Sequence, residues 1–347
     1  MKNKKTIFIW SSDFENFTGE GILARSFVSR VFNTNNLKII IKSNNSEYLF
    51  YKNKITRTRF TKYKNNFVNK YFKIFIGVYY LWKYNNLGYI TFYINYLPLW
   101  NFLIFALLPN KTFLGPITGG KYIANIKNMN SIIRKYLFPL LYRLSIKIIS
   151  KKYKFSFFST KMLINYLPKN LIKRSLFDLT LICFDETIKK KNKDIEYLFY
   201  YRKHANKSNS FLKKIIENLI KRKTKIFIVG DFYKNKKVIN LGNLRRQSLL
   251  KYLSRTKYSL NSGENFYSLF ALDCMAANVN ILVDKNNFPR ENFFPKDKVN
   301  VVDYNNFEES YLNALENKNN KKKYNEKILF KKKYLLIKEI KKKLSIN

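Results

Sequence analysis

Two groups of residues have the types and spacing to hold a phosphorylated ligand. The first is Arg202 and Lys207, in Tyr201-Arg202-Lys203-His204-Ala205-Asn206-Lys207. An arginine offers phosphate a bidentate fork, and a lysine offers a point charge. In a chain with 67 Lys and Arg, that spacing alone says little. Its position does more, between a predicted strand at Ile195–Tyr201 and a predicted helix at Ser210–Ile220. The second group spans Glu264 to Asp273. Asn261, Ser262, Gly263, Glu264 and Asn265 are turn formers, and Ser268 is placed to cap a helix running to about Ala277. Tyr267, Ser268 and Leu269 then surround an exposed helix amino terminus, whose amides suit a diphosphate, while Glu264 and Asp273 suit hydroxyls. Leu269, Leu272 and Ala276 define the buried stripe, so Asp273 falls on its flank. A carboxylate there must be paired or must face a polar ligand. A capped surface helix with a salt-bridged Asp meets the same spacing, and spacing does not separate the two.

The elements that must position these residues alternate between strand and helix. Lys257–Leu260, the 268–277 helix and Val279–Val283 read strand, helix, strand, which is part of a doubly wound α/β domain. Lys225–Val229 and Val238–Gly242 are further strands, and Leu249–Leu253 lies on a helix. At the other end, strand Thr6–Trp10 leads through a loop holding Gly19 and Gly21 into a helix at Ile22–Phe32. Leu37–Lys42 and Tyr89–Ile94 are strands, and residues 43–72 read as basic and irregular. Leu97–Leu108 reads as a helix ending at Pro109. Thr112–Leu114 is a strand running into a Gly115-Pro116-Ile117-Thr118-Gly119-Gly120 loop. Met129–Ile149 is a basic amphipathic helix with Pro139 as a kink, suited to packing on a sheet or lying on an anionic membrane. The charged stretch 184–194 reads as a linker, dividing domains 1–185 and 186–347. Asn325–Leu344 is Lys-rich with interleaved Leu and Ile.

The second half resembles the donor-binding domain of family-4-type retaining glycosyltransferases of the GT-B fold. Leu272-Asp273-Cys274-Met275-Ala276 is similar to the family's segment opening on its second acid, and Glu264-Asn265-Phe266 to the segment around its first. Here the second acid is Asp, and the acids stand nine positions apart rather than eight. Arg202 and Lys207 match the family's "GR…K" segment, with Tyr201 in place of its glycine. Ile228-Val229-Gly230-Asp231 resembles its next strand end. The resemblance is strong over 195–284 and suggestive over 6–32 and 112–160. It implies two Rossmann-like domains facing a cleft, with acceptor bound by the first and nucleotide sugar by the second. It also implies transfer to a glycan or lipid-linked acceptor with retention, in surface polysaccharide or glycoconjugate synthesis. No cofactor and no metal are implied. Arg202, Lys207 and the amides near Ser268 and Leu269 would meet the diphosphate, Glu264 the donor sugar and Asp273 the ribose. Gly19, Gly21, Gly119 and Gly120 would form glycine loops at the cleft, and the terminal helix would cross back to the first domain.

Composition narrows the alternatives. At 46% hydrophobic and 17% aromatic residues, the chain has ample core material, which excludes disorder. Cys183 and Cys274 form no disulfide framework, and the single histidine, His204, excludes His-rich metal sites. Met1–Lys5 followed by Thr6–Trp10 is too short for a secretory signal, and no window reaches the ~20 apolar residues of a membrane span. A cytoplasmic enzyme, peripheral on the inner membrane face, is the expectation. The net charge of +45 suits an anionic partner. Lysines are spread along the whole chain, amid abundant Asn, Ile, Phe and Tyr, as in a very A+T-rich genome. That spread argues against a dedicated nucleic-acid face. A degenerate, non-catalytic GT-B protein is the other alternative.

Overall fold

The computed structural model describes residues 6–17, 19–33, 37–60, 67–119, 129–185, 188, 192–203, 210–260, 268–285, 299–303, 306, 310 and 327–344. It divides into two compact units, Met1–Cys183 with Lys331–Asn347, and Phe184–Phe330.

In the first unit, the chain runs β1 (Ile7–Trp10), α1 (Gly19–Val31), β2 (Ile39–Lys42), β3 (Ser46–Tyr51), β4 (Lys54–Phe60), α2 (Phe67–Asn86), β5 (Ile90–Pro98) and α3 (Phe102–Leu107). It continues through β6 (Phe113–Thr118), α4 (Met129–Lys152), β7 (Ser156–Phe158), α5 (Lys169–Arg174) and β8 (Ser175–Leu176). The eight strands form one sheet, ordered β4-β3-β2-β1-β5-β6-β7-β8. All four residues of β1 are buried, which is why it reads as a continuous apolar run: helices cover both faces of its parallel neighbours.

Three stretches differ from their sequence reading. The basic residues 43–60 are an antiparallel hairpin on the sheet edge, β3 to β4, closed by Lys52 and Asn53 at φ 48° and 60°. Two central residues with positive φ match the twist of paired strands, and asparagine accepts that conformation readily. Leu97–Leu108 is split: β5 continues to Pro98, and the Asn101 side chain caps α3 by accepting from Ile104 N (3.5 Å). Gly115 to Thr118 belong to β6 rather than to a loop. Gly115 has φ +146°, and a Cβ there would lie 2.5 Å from Phe157 O, so glycine lets β6 press against β7.

The second unit runs β9 (Ile195–Tyr201), α6 (Ser210–Lys221), β10 (Ile226–Gly230), β11 (Val238–Gly242), α7 (Arg246–Leu253), β12 (Thr256–Leu260), α8 (Leu269–Ala276), β13 (Asn280–Asp284) and β14 (Val299–Val302). Its sheet is parallel throughout, ordered β11-β10-β9-β12-β13-β14. The last helix, α9 (Lys327–Leu344), is not a solvated tail. Leu329, Leu336, Ile340 and Leu344 are buried, and Lys343 Nζ sits 4.7 Å over the Phe155 ring.

Gly77 gives a direct test of the first unit's packing. Glycine within a helix costs about 1 kcal/mol relative to alanine, so α2 carries it for a reason. A Cβ at Gly77 would stand 2.3 Å from Trp10 Nε1, and Trp10 is fully buried. Gly77→Ala should therefore lower stability by about 1–2 kcal/mol, overpacking outweighing the gain in helix propensity. Chemical denaturation with an unchanged m value would show it.

Candidate functional site

In each sheet the strand order reverses beside the first strand. In the second unit, the chain goes from β9 outward through β10 and β11, then returns to place β12 on the other side of β9. Such a switch point leaves a crevice outside the carboxyl ends of the two strands. The loops after β9 and β12 both leave from this edge, because the strands are parallel, with Tyr258 opposite Tyr197.

Arg202 stands directly beyond β9 and is exposed. Its backbone is held on both sides. Asp231 N donates to Tyr201 O (3.0 Å), and Asp231 Oδ2 accepts from Lys203 N (2.7 Å). Gly230, at φ +108°, makes this possible, since a Cβ there would lie 2.2 Å from Tyr201 O. The amino terminus of α8 reaches the same edge. Ser268 Oγ accepts from Ala271 N (3.2 Å), closing the cap. In the first turn, the Phe270 ring stacks on Tyr200 of β9 at 5.4 Å and 29°. Arg202, just beyond β9, and Ser268 and Leu269, at the start of α8, thus lie at the same sheet edge, with the Tyr200–Phe270 stack as the contact between the two elements. Lys207, Glu264, Tyr267 and Gly120 lie outside the described residues.

Asp273 is one turn deeper and is buried, on a helix whose residues 271–276 are all buried. Its carboxylate does not face an open edge; it faces Arg246, the first residue of α7. Arg246 Nη2 donates to Asp273 Oδ1 at 2.6 Å, and Nε donates to Oδ1 at 3.0 Å and Oδ2 at 3.3 Å. Arg246 Nη1 also pairs with Asp185 Oδ2 at 2.8 Å. Burial pushes the Asp273 carboxyl above its ordinary range, with Arg246 pulling against the rise. The carboxylate is therefore answered by a buried ion pair, one of the two outcomes that its flank position allowed. Arg246 was not singled out by sequence reasoning. The only signal was the demand that Asp273 be paired, and that did not say by what. Next to it, burial drives the Cys274 thiol far up, so it offers no nucleophile.

In the first unit, Gly19 and Gly21 lie in the first turn of α1 rather than in a loop before it. A Cβ on Gly21 would be 2.1 Å from Asn16 O and 2.4 Å from Asp13 O, so the glycine lets that segment cross the helix. The switch point here lies between β1 and β5. Ser12, just past β1, donates from N and Oγ to Asn95 Oδ1 of β5 (2.8 and 2.9 Å). Asp13 Oδ1 accepts from Asn16 Nδ2 (2.5 Å), and Asp13 Oδ2 lies 3.1 Å from the same Ser12 hydroxyl, whose one proton Asn95 and Asp13 compete for. Asn95, which ties the end of β1 to β5 at this switch point, is a residue that sequence reading passed over. Gly119 packs under Tyr142, whose hydroxyl would lie 2.8 Å from a Cβ. Among the described residues, no group of three or more His, Cys, Asp and Glu is arranged to hold a metal ion.

Compared with solved structures, the chain is similar to HepE of Anabaena in complex with UDP, at TM-score 0.55 and 8% identity, covering 98% of this chain and 99% of that one. It is similar to MnaA of S. aureus with UDP, at TM-score 0.54 and 11% identity, over 99% and 98% of the two chains. The chain has the GT-B fold. A glycosyltransferase from Rickettsia africae shares this GT-B architecture at TM-score 0.50 and 13% identity, over 90% and 89%. Aligned on TarM, at TM-score 0.49 and 14% identity, 84% of the chain spans 61% of that protein. No family model and no curated protein matches this GT-B chain.

The Arg246–Asp273 pair sets a pH-dependent expectation. A carboxyl that holds its proton more tightly folded than unfolded favours the fold below its ordinary pKa. It loses that contribution as pH rises through the raised value. Arg246 limits the loss. Arg246→Leu should cost about 3–5 kcal/mol relative to the parent at neutral pH, and much less at acid pH, below the raised value, where Asp273 takes up a proton. Urea titrations of both proteins at the two pH values would show it; an equal difference at both would contradict this account of the pair.

Proposed function

We propose that this chain is a glycosyltransferase that moves a sugar from a nucleotide-sugar donor to a glycan or lipid-linked acceptor in surface polysaccharide or glycoconjugate synthesis. The observation that carries the reading is the β9–β12 edge, the switch point of a GT-B sheet, where β9 ends just before Arg202 and the first turn of α8 stacks on Tyr200. Two structures similar to this chain hold UDP, which supports a uridine diphosphate donor. On this reading, Arg202 and Lys207 answer the charge of the departing diphosphate, together with the amides of Ser268 and Leu269. No metal is required for that step, since cationic side chains and helix amides supply the stabilisation. Glu264 contacts the donor sugar, and transfer retains the anomeric configuration. Asp273 acts through Arg246, fixing where α8 begins, rather than by touching the ribose.

UDP should raise the melting temperature of the chain, by an amount that grows with ligand concentration. Arg202→Ala should weaken UDP binding roughly tenfold to a hundredfold, the loss of a charge-assisted contact of about 1.5–3 kcal/mol. Its own stability should be unchanged, because Arg202 is exposed. Unaltered UDP affinity in Arg202→Ala would remove the proposed site. Normal UDP binding without transfer or hydrolysis across a panel of UDP-sugars would favour the non-catalytic alternative.

A further inference from the structure

Helices α2, α3 and α4 cover one face of the first unit's sheet. Leu81, Phe105, Tyr142 and Ile146 join Trp10 and Leu114 in a single core beneath them. The outer side of this layer is also apolar. On α4, Ile132, Tyr136, Leu140 and Leu144 recur every four residues and are exposed, Tyr136 by 66% and Leu140 by 56%. They lie on the side of the helix opposite Tyr142, Ile146 and Ile149, which are buried. Leu103 and Leu107 of α3 are exposed, as are Tyr79 and Trp82 of α2. The helices are joined at this surface: Trp82 Nε1 donates to Leu107 O (2.8 Å), and Trp100, just before α3, stacks on Phe138 of α4 at 6.0 Å. A helix that is apolar on both faces needs a second apolar environment.

Charge says which environment. Lysines and arginines are spread along the chain, but acids are not. From Tyr48 to Phe177, a run of 130 residues, there is no Asp or Glu, against 23 Lys and Arg. An even spread of the 22 acids would place about eight in that window. Composition drift raises lysine everywhere; it does not empty one window of carboxylates. Arg143, Lys147 and Lys151 are exposed on α4, among and just beyond its apolar residues.

We propose that the outer face of α2, α3 and α4 docks on an anionic lipid bilayer. Leucines and isoleucines enter the acyl boundary, Trp82, Trp100 and Tyr136 sit at headgroup level, and the basic side chains meet lipid phosphates. Nucleic acid would satisfy the charge but has no use for an aliphatic stripe. A second copy would satisfy the stripe but would bring two acid-free basic faces together.

The full-length chain is tested by co-sedimentation with phosphatidylcholine vesicles, with and without phosphatidylglycerol. Binding should require the anionic lipid and weaken with salt. Trp82 and Trp100 should be quenched by brominated acyl chains, while Trp10, buried in the core, should not. Arg143→Gln with Lys147→Gln should weaken vesicle binding about fivefold for each charge at low salt. Leu140→Ser with Leu144→Ser should weaken it about tenfold at any salt, yet leave retention on heparin unchanged. Both double variants alter exposed residues, and matching melting curves would confirm that they fold. Vesicle binding by Leu140→Ser/Leu144→Ser equal to the parent would overturn the proposal. So would equal recovery on neutral and anionic vesicles, or a dimer that the Leu variant dissociates while the parent ignores vesicles.

Discussion

Helix α8 carries a carboxylate where its neighbours are apolar, and the β9–β12 edge of the second unit depends on how that charge is answered. Asp273 is buried among Ala271, Leu272, Cys274 and Met275. An unpaired carboxylate there would cost several kcal/mol or take up a proton. Arg246 answers it from the start of α7, a position where the helix dipole disfavours a cation. The pairing, shared with Asp185, outweighs that disadvantage and fixes α7 against α8. With α8 held, its capped end reaches β9 through the Phe270–Tyr200 stack, beside Arg202.

Support for this arrangement comes from the stretch leading into β9. Lys193 Nζ donates to Ala277 O (2.8 Å) and Leu253 O (3.3 Å), near the carboxyl ends of α8 and α7, where a cation is favoured. Residues 192–194, read from sequence as part of a linker, are thus tied to the unit that follows them. The same stretch ends in the Asp194–Arg255 pair, which is exposed and contributes little.

What was legible in the sequence followed from local physics. The alternation of buried strands with helices marked both sheets, and Ser268 capped the helix that its position promised. The flank position of Asp273 implied a partner. It did not imply Arg246, because that partner lies 27 residues away and breaks the dipole rule. Lys52-Asn53 closes a hairpin without the Asn-Gly pair that normally announces one, so β3 and β4 were read as irregular. Gly115 looked like a turn former, yet its lack of a side chain serves the close approach of β6 to β7. In α4 and α9, Leu and Ile among lysines fit both a packed and a solvated helix. Tertiary packing decided those cases: α9 buries its stripe, and α4 buries one side only.

The account stands on the β9–β12 edge as the place where a nucleoside diphosphate is held. Hydrogen exchange of the full chain with and without saturating UDP addresses that edge residue by residue. Protection is predicted at the amides from 201 to 203 and from 268 to 271, with the first unit's β1–β5 edge unchanged by UDP alone. Protection confined to the first unit, with 201–203 and 268–271 exchanging as in the free chain, would contradict it.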